Sequence, residues 1–298
     1  MFARRSPRSL GSVPAASPTG PALDLVVGRA EVLGGVPIAR LLPRRPRRTV
    51  GAWCFLDLMG PTDAALAVGP HPHIGLQTVT WLLEGEVVHR DSLSVEQPIR
   101  PGQLNLMTAG HGVAHAEEGV GGPLRGAQLW VAQPEGTRHG PAAFEHHEDL
   151  PRAEVGTTAI TVLVGEIAGA HSPARHDTPL VGAELRLRAG RTELPLDPSF
   201  EHAIAVLDGG VVAAGRAVDA GQLLHLGDGR SSVELSADQP AVALLIGGEP
   251  LGEGLAMWWN FVGRSRQELD EAGRAWEARS ERFGAVASSL ARVPVPAR

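Results

Sequence analysis

A single cysteine, Cys54, stands in 298 residues, and tyrosine is absent altogether. One thiol excludes an intramolecular disulfide and fits a reducing, cytoplasmic setting. Aromatic residues make up only 4% of the chain. No apolar run is long enough to span a membrane, and none near the N-terminus has the length a secretory signal needs. Excess positive charge is also missing: the net charge of −6 gives no general attraction to nucleic acid or to an anionic membrane surface. What is plentiful is turn chemistry, with 37 glycines and 24 prolines, as many short strands require. At 43% hydrophobic content the chain can bury a substantial core, and its length allows two domains.

Within this frame one stretch stands out, His71-Pro72-His73-Ile74-Gly75-Leu76-Gln77-Thr78-Val79-Thr80-Trp81-Leu82-Leu83-Glu84-Gly85, followed by Thr108-Ala109-Gly110-His111-Gly112-Val113-Ala114-His115-Ala116-Glu117. Each part holds two potential metal ligands at a spacing of two, His71/His73 and His115/Glu117, and strand side chains two apart share a face. Two short strands facing each other would aim all four at one point. Three neutral imidazoles and a carboxylate suit a divalent transition metal such as Fe, Mn, Ni, Cu, Zn or Co, whereas Ca or Mg call for more oxygen ligands.

A lone His-x-His on a strand is ordinarily a pair of exposed or locally hydrogen-bonded imidazoles, so context decides. His71 follows Gly69-Pro70, a strand-entry turn, and β-prone residues then run to the turn Glu84-Gly85-Glu86. A second strand, Val87 to Leu93, precedes the turn Arg100-Pro101-Gly102-Gln103 and an apolar strand leading to the second ligand pair. This order is that of a cupin barrel, in which antiparallel strands close into a double-sheet roll around an internal metal.

The runs His71 to Thr80, Leu83-Glu84-Gly85-Glu86, His89-Arg90-Asp91-Ser92-Leu93, Met107-Thr108-Ala109-Gly110 and His115-Ala116-Glu117 resemble the signature of the pirins, which are bicupin proteins. Gly51 to Pro61 and Gly248-Glu249-Pro250-Leu251 are similar to further segments of that family, and the resemblance spans roughly residues 24 to 275. It implies an all-β fold of two cupin β-barrels with a C-terminal α-helix. It also implies one mononuclear iron site, as Fe2+, held by His71, His73, His115 and Glu117. The associated activity is a quercetin 2,3-dioxygenase, in which O2 opens the central ring of a metal-chelating flavonol, or another enediol, and carbon monoxide leaves. Glu117 would then loosen from the metal and accept the substrate's hydroxyl proton, a catalytic role that suits the one carboxylate of the set. Pirins are also known as non-enzymatic regulators whose iron oxidation state alters protein partners, which is the alternative function. An acidic chain without a basic recognition helix points away from direct nucleic-acid reading.

Taken in order, residues 1–22 read as a disordered tail rich in Arg, Ser, Pro and Gly. The basic run Arg40 to Arg48, interrupted by Pro43 and Pro46, reads as an extended loop with solvated arginines. The metal-binding barrel is expected over 23–133 and a solvated linker over 134–153, the linker including Glu145-His146-His147-Glu148-Asp149. A second barrel is expected over 154–262. Leu82 to Val88 matches Val206 to Val212 at a constant offset, and Pro101-Gly102-Gln103-Leu104 matches Ala220-Gly221-Gln222-Leu223. The same offset sets Pro195 against His71 and Asp197 against His73, so this copy is expected to hold no metal, with His202 and His225 as single core or surface histidines. From Ser265 the period changes, and Leu269, Ala272, Trp276 and Phe283 fall on one face of a helix that opens with a Ser265/Glu268 capping box. This helix and a loose tail fill 263–298.

Several positions depart from the resemblance or carry no assignment. Gln77 stands where many cupins place a ligating Glu, so the carboxylate must come from Glu117. His111, between Gly110 and Gly112, reads as a histidine behind the ligands or on the surface, and Trp81, Leu106 and Met107 are the candidates for the apolar wall of the site.

Overall fold

The computed structural model describes residues 23–45, 47–252 and 254–297; the tail expected over 1–22 lies outside them. Alternating inward and outward side chains between glycine turns produce strands throughout, and every strand pair is antiparallel. Two repeats of one plan result. The first pairs a seven-stranded sheet, in the order Ala143–His147, Leu104–Thr108, Leu76–Glu84, Leu124–Ala132, Trp53–Thr62, Val36–Leu42 and Arg29–Leu33, with a four-stranded one. The latter runs Ala67–His73, Val113–Gly119, Val87–Asp91, Glu96–Ile99. The second repeat has a large sheet built around Glu201–Asp208, Ala241–Gly248 and Leu180–Leu187, and a small one in the order Gly190–Pro195, Ser232–Ala237, Gly210–Ala213, Arg216–Asp219. The repeated turns seen in the sequence coincide in conformation: Gly85 and Gly209 have φ of 90° and 71°, and Gly102 and Gly221 of 85° and 83°.

The two large sheets pack against each other. Trp53, Leu56, Val79, Trp81, Leu104 and Leu129 of the first meet Leu163, Leu180, Ala203, Leu223, Leu244 and Ile246 of the second in one buried cluster, each fully buried Leu, Ile or Val contributing roughly 1.5–3 kcal/mol. Two indoles fix the register of this contact. Trp53 Nε1 donates to Val181 O and Gly247 O at 3.1 and 3.0 Å, and Trp81 Nε1 donates to Glu184 Oε2 at 2.9 Å. Alternation explains why Trp81 and Leu106 do not wall the metal site as expected: both point away from the first barrel, into the inter-barrel core.

Three other expectations change. The first described strand, Asp24–Val27, pairs with Gln222–Gly227 and so extends the second barrel's sheet from the N-terminal side. The segment expected as a solvated linker supplies Ala143–His147, which pairs with Leu104–Thr108. Arg40 belongs to the strand Val36–Leu42, where it forms a two-point ion pair with buried Asp57 at 2.9 and 2.7 Å, instead of lying in a solvated loop.

The C-terminal helix spans Arg266–Glu277, with Ser265 Oγ accepting from the Glu268 amide. Glu268 reaches back to the Arg264 amide at 2.9 Å. It ends in a left-handed residue, Arg279 at φ 53°, with Arg279 N bonding Trp276 O and Ser280 N bonding Ala275 O. Leu269, Ala272 and Trp276 bury against Ile74 and Ala114 of the first barrel and Phe261 of the strand Phe261–Gly263, and Phe283 joins them from a following 3-10 turn. The tail expected to be loose is docked on the ligand-bearing strand: Val293 N donates to Pro70 O, and Val293 O accepts from the Trp276 indole at 2.8 Å. No helix among the described residues is long and apolar enough to cross a membrane.

Candidate metal centre

His71 and His73 alternate inward on Ala67–His73, and His115 and Glu117 on Val113–Gly119. These strands are hydrogen-bonded neighbours in one sheet, not opposed across the barrel: His115 pairs with His71 and Val113 with His73. A register shift between His115 and Glu117 brings Val68, in place of the regular partner, opposite Glu117. The entry loop is tied down on every side. Gly75 N donates to Gly110 O, Gln133 N to Gly75 O, and Val262 N to Ile74 O.

The three histidines form a group whose ligand atoms all lie within 4.8 Å of one another. It is the only such group of three or more His, Cys, Asp or Glu among the described residues. All three are buried. Each imidazole has Nδ1 engaged outward: His71 Nδ1 lies 2.9 Å from Gly69 O, His73 Nδ1 3.1 Å from Asn260 O, and His115 Nδ1 3.2 Å from His89 Nδ1. The two carbonyls can only accept, so His71 and His73 carry their proton on Nδ1 and present a bare Nε2 to the centre. His73 Nε2 and His115 Nε2 are 3.0 Å apart, the separation of two cis donors each about 2.1 Å from one metal ion.

Electrostatics agree with the donor chemistry. Burial pushes His71 down to about 4 and, together with the neighbouring imidazoles, holds His73 and His115 well below the ordinary imidazole range. The rings are thus kept neutral, as ligation requires. Burial pushes the Glu117 carboxyl up. Its one side-chain hydrogen bond is a long 3.5 Å contact from Thr80 Oγ1, a hydroxyl that lies 2.9 Å from Gln128 Oε1. A buried carboxylate so poorly compensated, beside three neutral imidazoles, fits a divalent cation. Glu117 stands outside the tight three-histidine group but lines the same cavity.

That cavity encloses about 450 Å³, within the range of roughly 300–1,000 Å³ usual for small-molecule sites. Phe55 and Trp130 form its wall, stacked with centroids 4.0 Å apart and planes at 13°. Arg40 caps Phe55 at 4.9 Å. Trp259, Asn260 and Val293 line it from the C-terminal segment. Trp259 sits at the tip of the hairpin Ala256–Trp258/Phe261–Gly263 with φ 53°, a conformation rare for a bulky residue. None of these wall residues was legible as such in the sequence; Met107, the remaining candidate, packs behind Trp130 without lining the cavity. Only the unusual Trp258-Trp259-Asn260 run offered a signal.

The other singled-out residues lie apart. Gln77 Nε2 donates to Thr108 Oγ1 at 3.1 Å, on the face turned toward Arg175 and away from the ligands. His111 is exposed, 6.4 Å from His139. Asp197 Oδ1 accepts from the Ser199 amide and hydroxyl in a surface turn, and His202 and His225 are single buried histidines.

Comparison with known proteins adds to this geometry. The Pirin family model matches residues 35–131, and the model described as the Pirin C-terminal cupin domain matches 182–284. A Pseudomonas aeruginosa protein provisionally named quercetin 2,3-dioxygenase is 47% identical over 92% of this chain and 91% of its own length. A pirin-like protein of Caulobacter vibrioides is 37% identical over 86% of this chain and 93% of its own. The crystal structure of a quercetin 2,3-dioxygenase from Acinetobacter baumannii superposes with a TM-score of 0.89 at 41% identity, covering 93% of this chain and 95% of that one.

Proposed function

Because this chain belongs to the pirin family of bicupin proteins, we propose that it is a mononuclear iron dioxygenase that opens flavonol-type substrates, of which quercetin is the type, with O2. The observation that carries this reading is the convergence of three buried imidazoles, with a buried carboxylate beside them, on an aromatic-walled cavity of about 450 Å³. His71, His73, His115 and Glu117 would hold the metal. Bound Fe2+ would supply Lewis-acid and redox chemistry toward a chelating enediol and O2.

The chain's own residues have separable tasks. Phe55, Trp130 and Trp259 give the cavity aromatic walls suited to a planar fused ring beside the ligands. Glu117, the one carboxylate of the set, accepts the hydroxyl proton at a carboxylate oxygen. Asn260 O and Gly69 O hold His73 and His71 in the ligating tautomer throughout. The one cysteine, Cys54, is a buried, protonated core thiol, consistent with a reducing cytoplasm as the site of action.

Anaerobic reconstitution with Fe(II), followed by O2 uptake and carbon monoxide release with a panel of flavonols and other enediols, tests the proposal. One O2 consumed and one carbon monoxide released per flavonol is expected. Metal-loaded protein inert toward the whole panel would overturn the enzymatic reading in favour of a regulator that acts through a protein partner.

A further inference from the structure

Behind His115, on the side away from the cavity, lies a second pair of buried polar residues that the ligand set does not use. The strand Val87–Asp91 neighbours Val113–Gly119, with His89 opposite Glu117 and Asp91 opposite His115. Burial alternates along it, so Val87, His89 and Asp91 all turn inward. His89 Nδ1 lies 3.2 Å from His115 Nδ1, and His89 Nε2 lies 3.1 Å from Asp91 Oδ2. Asp91 Oδ1 accepts the Leu93 and Val95 amides at 2.8 and 3.1 Å, and Phe144 stacks on the His89 ring at 4.5 Å. His89 and Asp91 are 4% and 2% exposed, so water does not substitute for these contacts.

Only one arrangement of protons satisfies this chain when His115 ligates through Nε2. The neutral His115 then carries its proton on Nδ1 and donates it to His89 Nδ1. His89 must therefore be protonated on Nε2, and that proton faces Asp91 Oδ2, an acceptor whose other oxygen is fixed by two backbone amides. We infer that His89 and Asp91 are positioning residues that act through His115: the anion of Asp91 sets the tautomer of His89, and His89 in turn presents a bare Nε2 on His115 to a metal ion. A carboxylate at the far end of two imidazoles also makes His115 a stronger donor than His71 or His73, whose outward partners are neutral carbonyls. The inference rests on the metal-centre reading given above, but not on iron or on a flavonol.

Asp91→Asn is the discriminating variant. Its Oδ1 can still accept from Leu93 and Val95, so a purely structural role predicts no harm. Its amide nitrogen, however, would face His89 Nε2 as a donor, drive the His89 proton onto Nδ1 and set two N–H groups against each other at His115, the same donor reversal that cripples serine-protease triads. The full-length protein would be loaded with Zn(II) as a diamagnetic probe. Affinity would be read by chelator competition and imidazole tautomers by 15N NMR. Wild type should show His115 protonated on Nδ1 and His89 on Nε2. Asp91→Asn should move the His89 proton to Nδ1 and weaken Zn(II) by about 10- to 100-fold. His89→Phe, which keeps a ring on Phe144 but removes the acceptor, should weaken it comparably without any His89 signal. Metal-free melting curves of the three proteins identify a variant that has lost its fold; for such a variant the wild-type tautomers alone decide. Wild-type affinity in both folded variants, or His89 protonated on Nδ1 in the wild type, overturns the inference while leaving the metal centre standing. Wild-type protein that holds no metal overturns both.

Discussion

His71, His73 and His115 present nitrogens whose protonation burial has suppressed, and this gives the metal-free protein a pH dependence of known sign. The folded His71 titrates at about 4, against an unfolded value near 6.5. Between these values the unfolded chain binds more protons. The stabilising contribution is therefore complete above about pH 6.5 and is lost as pH falls toward 4, amounting to about 3 kcal/mol for His71 alone. His73 and His115 act in the same direction. Glu117 acts in the opposite one, since its folded pKa is raised and its contribution falls as pH rises through that value. Urea midpoints of chelator-treated wild type and His71→Asn, measured from pH 7 to pH 4, should converge as pH falls; parallel profiles would count against the assigned burial effect. Glu117→Gln addresses chemistry instead. It keeps an oxygen donor but not the basicity, so metal content should fall moderately while turnover drops by about 10²- to 10⁴-fold. Metal content and O2 consumption measured on the same preparations separate the two roles, and unchanged activity per metal would sink the proton-acceptor role.

The elements around the centre are held by backbone contacts that leave little room. Gly75 joins the two ligand-region strands at φ 65°, and a Cβ there would meet Val262 O at 2.2 Å. Gly75→Ala should therefore combine left-handed strain of about 1–3 kcal/mol with displacement of the strand that carries Phe261 and Val262. A lowered melting temperature together with a substoichiometric metal content is expected, and a variant with wild-type values of both would show that the hairpin is not coupled to the ligands. The hairpin, the tail at Val293 and the helix at Trp276 all converge on Ile74 and Pro70. Segments beyond the second barrel in sequence thus complete the site of the first.

At the scale of the whole molecule, two barrels share one core, yet only the first brings together three histidines able to hold a metal ion among the described residues. One metal per chain is expected by elemental analysis of protein purified without chelator, and none after His71→Ala or His115→Ala. Because the ion binds only the folded centre, it should add on the order of 3 to 4 kcal/mol at 100 to 1,000 times Kd. Melting curves with and without EDTA measure this directly. Identical midpoints, or two tightly held ions, would contradict a single centre in the first barrel.

The sequence by itself determined which candidate side chains share a face, because a strand's period of two is a local property and His71/His73 and His115/Glu117 carry it in their spacing. It also determined the repeat of the barrels, since the glycine turns at Gly85 and Gly209 demand the same backbone, and the helix start at Ser265, set by a cap within one turn. Only the tertiary structure decided which strands are neighbours, and therefore that His115 lies between His71 and Asp91. It alone decided which face of Leu76–Glu84 meets the second barrel, sending Trp81 to Glu184 and Thr80 to Glu117. The cavity wall of Phe55, Trp130 and Trp259 draws on positions 75 to 204 residues apart in the chain. Contacts over such separations are set by the packing of sheets and segments that no local pattern encodes.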